Sequence, residues 1–482
     1  MTGLGVGLTH VPGAEPLLDA CADLLEVVEI EPQALWRARP DGTTGCDEEA
    51  LRRLADLPGA RLLHGVGNPV GGCRPPDPRQ TALVGELAER LGAPWVSEHL
   101  AFNRTTGRTA GPTGRTGRGG RSEDGFRTGF MLPPRQTLEG VRRSVASVRA
   151  MADALPVPLA VEIGTNYLRP RADELPDGRF VASVAEGAGC GLLLDLHNVL
   201  ANERNGRASV GRLLDELPLD RVWEVHLAGG FEHRGYWLDA HSGLPDKELL
   251  ALAERVLPRL PALRAVLFEV TGSALPGLDP QAVRDLLVRV REQWRPQPSP
   301  AGLALAAPVP WPSPALEPGD GPGPEEWEHA LGALTIGREA DGTLARELAA
   351  DPAIALLREL VTEFRASALA GTLVHTVRLL LLTLGEAGVR ALLDDYTRSH
   401  PPELFATEEA MAFAAHLRRT RPRVPWLADV LELDLGLVHV RLDDAPRTVR
   451  LGTDPNDLLA ALGAGRLPVA PAQGSFLVRL TV

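Results

Sequence analysis

Residues 158–198 read PLAVEIGTNYLRPRADELPDGRFVASVAEGAGCGLLLDLHN. A short apolar run closes on Glu162, a stretch of helical character follows over 172–188, and a second apolar run, CGLLLDL from Cys190, carries Asp195 near its end. Strand, helix and strand of these lengths make one parallel β/α unit. The unit recurs on both sides. GLGVGL (from Gly3), LLEVVEI (from Leu24), RLLHGV (from Arg61) and WVSEHL (from Trp95) precede it, and RVWEVHL (from Arg221) and AVLFEV (from Ala265) follow, with helical stretches at 78–91, 137–154 and 247–260. Eight such units predict an α/β fold, a closed parallel (β/α)8 TIM barrel over residues 1–294.

In such a barrel the C-terminal strand ends meet at one mouth, where catalytic side chains sit. From the third run onward nearly every run ends on or just past a histidine or carboxylate. This brings His64, His99, Glu162, Asp195, His197, His226 and Glu269 to the mouth, with Asp239 and His241 on the loop after the seventh strand. Each residue alone has an ordinary explanation, because ion-pair networks imitate functional sites. The series has none, since packing gives no reason for six successive strands to deliver the same kind of side chain. A cluster of Glu162, Asp195, Asp239 and Glu269 in a partly buried mouth would repel itself unless cations neutralised it. Mixed imidazole and carboxylate donors suit iron, manganese or zinc, whereas calcium and magnesium take almost only oxygen. More than four ligands implies more than one ion.

Other residues carry less. Glu29 and Glu31 close the second run. Glu98 and Glu224 precede His99 and His226, and strand alternation aims them away from those histidines, toward helix-facing or supporting roles. The glycines of HGVGNPVGG lack the spacing of a nucleotide-binding loop and read as turns.

The chain has 482 residues, more than the roughly 250 that one barrel needs. RPQPSPAGLALAAPVPWPSPALEPGDGPGPE, beginning at Arg295, is too rich in proline for a regular helix and predicts an extended connection over 295–324. A second domain over 325–482 follows. Helical stretches at 351–370, 373–384, 386–399 and 407–419, then the short alternating runs LVHVRL, TVRLG and SFLVRLTV, predict a mainly helical body with a small β extension. Residues 103–128 carry six Arg and seven Gly and read as a long loop over the mouth.

The formal charge of −13 argues against broad binding of nucleic acid or anionic membranes. The four cysteines show no CxxC spacing, so neither a disulfide framework nor a structural zinc site is expected. The N-terminus does not read as a signal peptide, and the most apolar later stretch, 379–384, is far shorter than the roughly 20 residues that span a bilayer. A cytoplasmic protein is expected.

The blocks LLHGVGNPVGG, VSEHLAFN, MLPPRQTLEGV, VEIGTNY, LLLDLHNVLANERNG, VWEVHLAGG, LDAHSGLP and FEV resemble, in order, the multinuclear non-heme iron-dependent oxidative enzymes that make methanobactin and related modified peptides. The resemblance covers residues 3–290. It implies a TIM barrel holding two or three iron ions, in mixed Fe(II) and Fe(III) states, that uses dioxygen to remodel a residue, commonly cysteine, of a ribosomally made precursor peptide. It further implies that His64, His99, Glu162, Asp195, His226, Asp239, His241 and Glu269 hold the irons, with Glu162, Asp239 and His241 in the catalytic centre and His197 and Asn198 as second candidates. Two positions depart from the family pattern. Ile163 and Gly164 stand where Asn-Pro is usual, and Gly230 replaces a histidine that often closes the HLAG block. The segments LLRELVTEFRASALA, LDDYTRSHPPELF and VPWLADVLELDLG resemble the partner proteins that present the precursor, so enzyme and partner would be fused and a separate partner unnecessary. Other readings of the same ligands remain: a divalent-metal isomerase or phosphodiesterase of the xylose-isomerase or apurinic-endonuclease type, or a non-catalytic scaffold that delivers peptide or metal.

Overall fold

The computed structural model describes residues 3–38, 43–107, 125–294, 322–443 and 445–481. Eight parallel strands close into a barrel: β1 (Gly5–His10), β2 (Val27–Ile30), β3 (Ala60–Gly65), β4 (Val96–His99), β5 (Leu159–Glu162), β6 (Gly191–Asp195), β7 (Val222–Ala228) and β8 (Ala265–Glu269). Each strand pairs with its sequence neighbours, and β8 returns to β1. All eight expected strands are present, and the helix expected over 78–91 is Pro78–Leu91. Asp77 caps that helix by accepting from the N–H groups of Arg79 and Gln80, and Gly92 ends it in a left-handed conformation.

Period-two alternation explains how the barrel carries both a core and a site. Val27, Leu62, Trp95, Ala160, Ala265 and Leu267 form one apolar cluster with Trp223. Two residues further along, on the same face, come Glu29, His64, Ser97, Glu162 and Glu269. The strand interior is therefore greasy toward one end and polar toward the mouth. A larger cluster, including Leu8, Val28, Leu63, Val96, Val161, Leu194 and Val225, fills the layer between strands and helices.

Two hairpins rise from the mouth, Phe102–Arg104 paired with Arg127–Leu132 after β4, and Phe231–His233 paired with Tyr236–Leu238 after β7. The first is built from the two ends of the Arg/Gly-rich segment, whose residues 108–124 lie outside the described residues. The C-terminal region is mainly helical with one small hairpin, Arg447–Thr453 against Gln473–Leu480. Most of the expected proline-rich connection, 295–321, also lies outside the described residues.

The helices Pro324–Thr335, Thr343–Ala349 and Ala353–Thr372 pack on the mouth hairpins, where Trp327, Leu331, Leu344 and Leu357 share one cluster with Phe102, Leu132, Tyr167 and Leu238. Trp327 is buried. Its indole N–H donates to the carbonyl of Pro133 at 3.0 Å, and the Arg135 guanidinium lies 4.7 Å from its ring centroid. Charged contacts rim this interface, including Arg143 with Glu325 and both His233 and Arg234 with Glu359. A separate cluster, with Leu380, Tyr396, Phe413, Leu417 and Leu431, holds the later helices together.

One local expectation fails: LVHVRL is not a strand but part of the helix Leu427–Asp443. Val430, Leu431, Leu435 and Val438 are all buried, and their helical spacing continues through the β-branched run, so packing overrides local propensity. The helices Pro324–Thr335, Thr343–Ala349 and Pro455–Gly463 had not been foreseen. The expected break between 384 and 386 is visible as Gly385, with φ 67°, inside the long helix Val374–Ser399. Among the described residues no single helix is long and apolar enough to cross a membrane.

Candidate metal centre

Strand ends place the expected ligands on one another. His99 pairs in register with Glu162 across β4 and β5, and Asp195 with His226 across β6 and β7. His64 Nε2 and His99 Nε2 lie 3.1 and 2.9 Å from the same oxygen, Glu162 Oε2. His226 Nδ1 is 2.8 Å from Glu269 Oε2, and His241 lies between Asp239 (Nε2 to Oδ1, 2.7 Å) and Glu269 (Nδ1 to Oε1, 3.3 Å). Four groups of ligand atoms each fall within 4.8 Å of one another: His64, His99 and Glu162; Glu162, Asp195 and His226; Asp195, His241 and Glu269; and Glu29, Glu224 and His226. Because Glu162, Asp195 and His226 each belong to two groups, the four form one continuous cluster.

Many of these atoms are close without being hydrogen-bonded. Glu162 Oε2, Asp195 Oδ2, Asp239 Oδ1, His226 Nε2, His241 Nε2 and both oxygens of Glu29 are buried and lack a hydrogen-bond partner. Leaving such atoms unpaired is costly, so native structures seldom do it. Nitrogen and oxygen atoms crowded this closely without hydrogen bonds between them leave lone pairs that a cation could take. Among the described residues, no Arg or Lys forms an ion pair with Glu29, Glu162, Asp195, Glu224, Asp239 or Glu269, so the carboxylates lack the usual structural counter-charge. The residues present therefore fit a multinuclear metal site of nitrogen and oxygen donors.

Local structure orients the ligands. Asp195 caps the helix Leu196–Arg204, Oδ1 accepting the Asn198 N–H at 3.0 Å, which leaves Oδ2 for the mouth. The Asn198 amide donates to Glu162 Oε1 at 3.3 Å and its oxygen accepts the Thr165 hydroxyl at 2.7 Å, fixing the carboxylate from behind. His64 Nδ1 meets Ser97 Oγ at 2.9 Å and His99 Nδ1 meets the Gly65 carbonyl at 3.0 Å, so each presents Nε2 inward. The Asp239 backbone N–H donates to the Tyr167 hydroxyl. His241 has φ 45°, a left-handed conformation that a non-glycine residue adopts only when its surroundings impose it.

Electrostatics follow from burial and crowding. Burial, reinforced by Glu162 and Asp239, pushes the Asp195 carboxyl well above the usual range. Burial also lifts Glu29 to about 7. For Glu162 burial acts upward, but His99 and His64 outweigh it and hold the carboxyl well below its usual value. In His241 burial is outweighed by Glu269 and Asp239, which raise the imidazole to about 10. Imidazole protons neutralise these carboxylates, and a cation taking their place would release them.

His197 does not join a ligand group. Its Nε2 lies 3.3 Å from the Leu238 carbonyl, and its ring lies against Gly230, where an added Cβ would come within 2.5 Å of the imidazole Cε1. Glycine at 230 thus makes room for the histidine at 197. Asn198 acts on Glu162, as described.

Two residues in the cluster lay outside the expected ligand set. Glu29 Oε2 is 3.1 Å and Glu224 Oε1 3.8 Å from His226 Nε2, and the Trp95 indole donates to Glu224 Oε2 at 3.0 Å. The expectation that alternation aims Glu224 away from His226 is corrected: residues 224 and 226 are two apart and share a strand face. That spacing was the signal available in the sequence. Glu98 does lie one residue from His99, is buried, and accepts the His99 N–H through Oε1.

Comparison with known proteins gives the family. Residues 3–279 match the model of the RiPP precursor modification enzymes MbnB/TglH/ChrH, where RiPP denotes a ribosomally made, modified peptide. The chain belongs to this family. A UPF0276 protein of Streptomyces avermitilis is 36% identical over 215 residues, 44% of this chain and 42% of that protein, so the match spans less than half of the relative. A UPF0276 protein of Anaeromyxobacter sp. (strain Fw109-5) is 31% identical over 242 residues, 50% of this chain and 76% of that protein. A xylose isomerase domain protein from Planctomyces limnophilus aligns with TM-score 0.37 and 14% identity, over 61% of this chain and 99% of that one. Endonuclease IV from Thermus thermophilus aligns with TM-score 0.37 and 17% identity, over 59% of this chain and 98% of that one. The family is described as one of enzymes that modify a ribosomally made precursor peptide.

Proposed function

We propose that this chain is an iron enzyme that uses dioxygen to oxidise a cysteine of its precursor peptide in natural-product biosynthesis. The observation that carries the reading is the set of buried, unpartnered ligand atoms of Glu162, Asp195, His226, Asp239 and His241, whose carboxylates form no ion pair with an arginine or lysine among the described residues. His64, His99, Glu162, Asp195, His226, Asp239, His241 and Glu269 would hold two or three irons, in Fe(II) and Fe(III) states. Bound iron would supply a Lewis acid for a peptide thiolate and a redox centre for dioxygen.

The chain's own residues divide the work. Glu162, shared by two ligand groups, ties neighbouring positions together while Asn198 holds its other oxygen. Asp239 and His241 have side chains 25% and 19% exposed, so they stand on the solvent side, where a peptide enters. With Glu162 they form the catalytic centre in this reading. Residues 1–294 would be the enzyme, 295–324 the connection and 325–482 a built-in partner that presents the peptide and raises its effective concentration at the mouth, with no separate partner protein required. The packing of Trp327 and Leu331 on the mouth hairpins supports that arrangement. We place the protein in the cytosol.

The test is iron quantification of the purified chain, together with mass spectrometry of a short cysteine-bearing peptide encoded beside its gene, incubated with and without dioxygen. Iron and an oxygen-dependent mass change support the reading. Zinc or manganese without oxygen consumption would favour the isomerase or phosphodiesterase chemistry, and an unmodified peptide under every condition would favour a scaffold.

A further inference from the structure

A pocket of about 80 Å³ opens at the barrel mouth, with both His99 and Asp239 on its lining. The wall away from these residues is hydrocarbon: Phe130, Leu132 and Pro133 from the β4 hairpin, Ile163 after β5, and Phe180 and Val181 from the helix Asp177–Ala188. The oxygens of its polar residues are engaged within the protein. Gln136 Oε1 accepts from Arg207 at 2.7 Å, Asn166 Oδ1 accepts the Leu168 N–H at 3.0 Å, and the Thr165 hydroxyl donates to Asn198 at 2.7 Å. Outside the pocket, Leu132 and Tyr167 pack against Trp327 and Leu331, so the C-terminal helices brace the wall.

We propose that this pocket receives the aliphatic side chain of a residue next to the one being modified, so that the enzyme selects peptides in which leucine or valine adjoins the reacting cysteine. The inference rests on the peptide-oxidising function proposed above and names the substrate class of that site. The pocket's rim is shared with two of the expected ligands, so a residue held there keeps its chain neighbour beside the cluster. Its wall rewards burial of apolar surface, and Phe130, Leu132, Pro133, Ile163, Phe180 and Val181 give a carboxylate side chain nothing to pair with. The departure at Ile163 and Gly164 shapes this same wall. Gly164 lines the pocket outside the left-handed region, and a Cβ added there would meet nothing within 4 Å, so the position has space for a side chain.

The probes are capped tripeptides with cysteine between two leucines, two aspartates or two glycines, titrated into the iron-loaded full-length protein under nitrogen. The leucine peptide is expected to bind at least about tenfold more tightly than the aspartate peptide, the scale of one buried aliphatic side chain. Gly164→Val should remove that preference. Phe130→Ala, which enlarges the pocket, should shift preference from leucine toward a phenylalanine peptide. Equal affinities in the wild type, or a preference that survives Gly164→Val, overturn the proposal. Failure of all three peptides to bind overturns the peptide-oxidising function as well. A leucine preference that persists when serine replaces cysteine supports the pocket, and one that vanishes with the thiol overturns it.

Discussion

His241 Nε2 lies 2.7 Å from Asp239 Oδ1, and neither atom has a hydrogen-bonding partner. Their closeness is imposed by backbone: the Asp239 N–H is tied to the Tyr167 hydroxyl, while His241 holds φ 45°. A strained loop that presents two unbonded ligand atoms to a barrel mouth is organised for something that binds both. His241→Ala and Asp239→Ala are each expected to lose at least one metal position, measured by elemental analysis, and to abolish peptide modification. Full iron retention with normal turnover in both variants would sink the assignment.

Glu224 is expected to act through His226. With Glu29 it borders the imidazole from below, and the Trp95 indole anchors it. Glu224→Gln keeps the shape but removes the charge, and metal affinity should fall by about 10–100-fold, the scale seen when a group supporting a metal ligand is lost. Competition with a chelator measures this, and unchanged affinity would leave Glu224 a purely structural role.

Metal removal should also reveal how much the cluster contributes to stability. Stripping the ions leaves Glu162, Asp195 and Glu269 to be neutralised by protons alone, so the thermal midpoint should fall and recover on adding back Fe(II). The shift should be smaller in Asp239→Ala. A midpoint indifferent to chelation would argue that these carboxylates do not hold an ion.

Glu328 gives a pH dependence away from the metal cluster. It is buried, its Oε1 accepts the Cys73 N–H at 2.7 Å, and burial raises its carboxyl to about 7. The folded protein therefore holds this proton more tightly than the unfolded chain, so the contribution is full below the unfolded value and lost as pH rises to about 7. Glu328→Gln can still accept the Cys73 N–H and never ionises. Above neutral pH it should be more stable than the wild type by up to about 3 kcal/mol, with the difference vanishing near about pH 4, the roughly 1.36 kcal/mol per pKa unit setting the scale. Denaturant unfolding at a series of pH values checks the sign, and parallel curves would contradict it.

Trp327 should matter for both halves of the chain. Trp327→Ala removes a buried indole and its bond to Pro133, a loss of about 3–5 kcal/mol for a core aromatic. Limited proteolysis should then cut between the barrel and the helix Pro324–Thr335 more readily than in the wild type. The variant should also weaken discrimination among peptides, because Leu132 and Tyr167 lose their backing.

The barrel and most members of the cluster are legible in the amino-acid order alone. Period-two runs ending in histidine or carboxylate can satisfy their alternation in only one way, with Val27, Leu62 and Ala160 in the core and Glu29, His64 and Glu162 two residues nearer the mouth. Spacing along one strand is local, and so it is legible. Glu224 shows that even a local signal must be counted correctly, since two residues, not one, separate it from His226. LVHVRL could not be assigned locally, because its neighbours across the C-terminal bundle decided between strand and helix.

Three-dimensional packing sets which ligand atoms lie close together, seats the first C-terminal helices on the barrel's mouth hairpins, and brings Gly230 against His197. Those relations join residues as far apart as Pro133 and Trp327. They depend on how whole elements pack, and no periodicity within a segment encodes the distance between two segments.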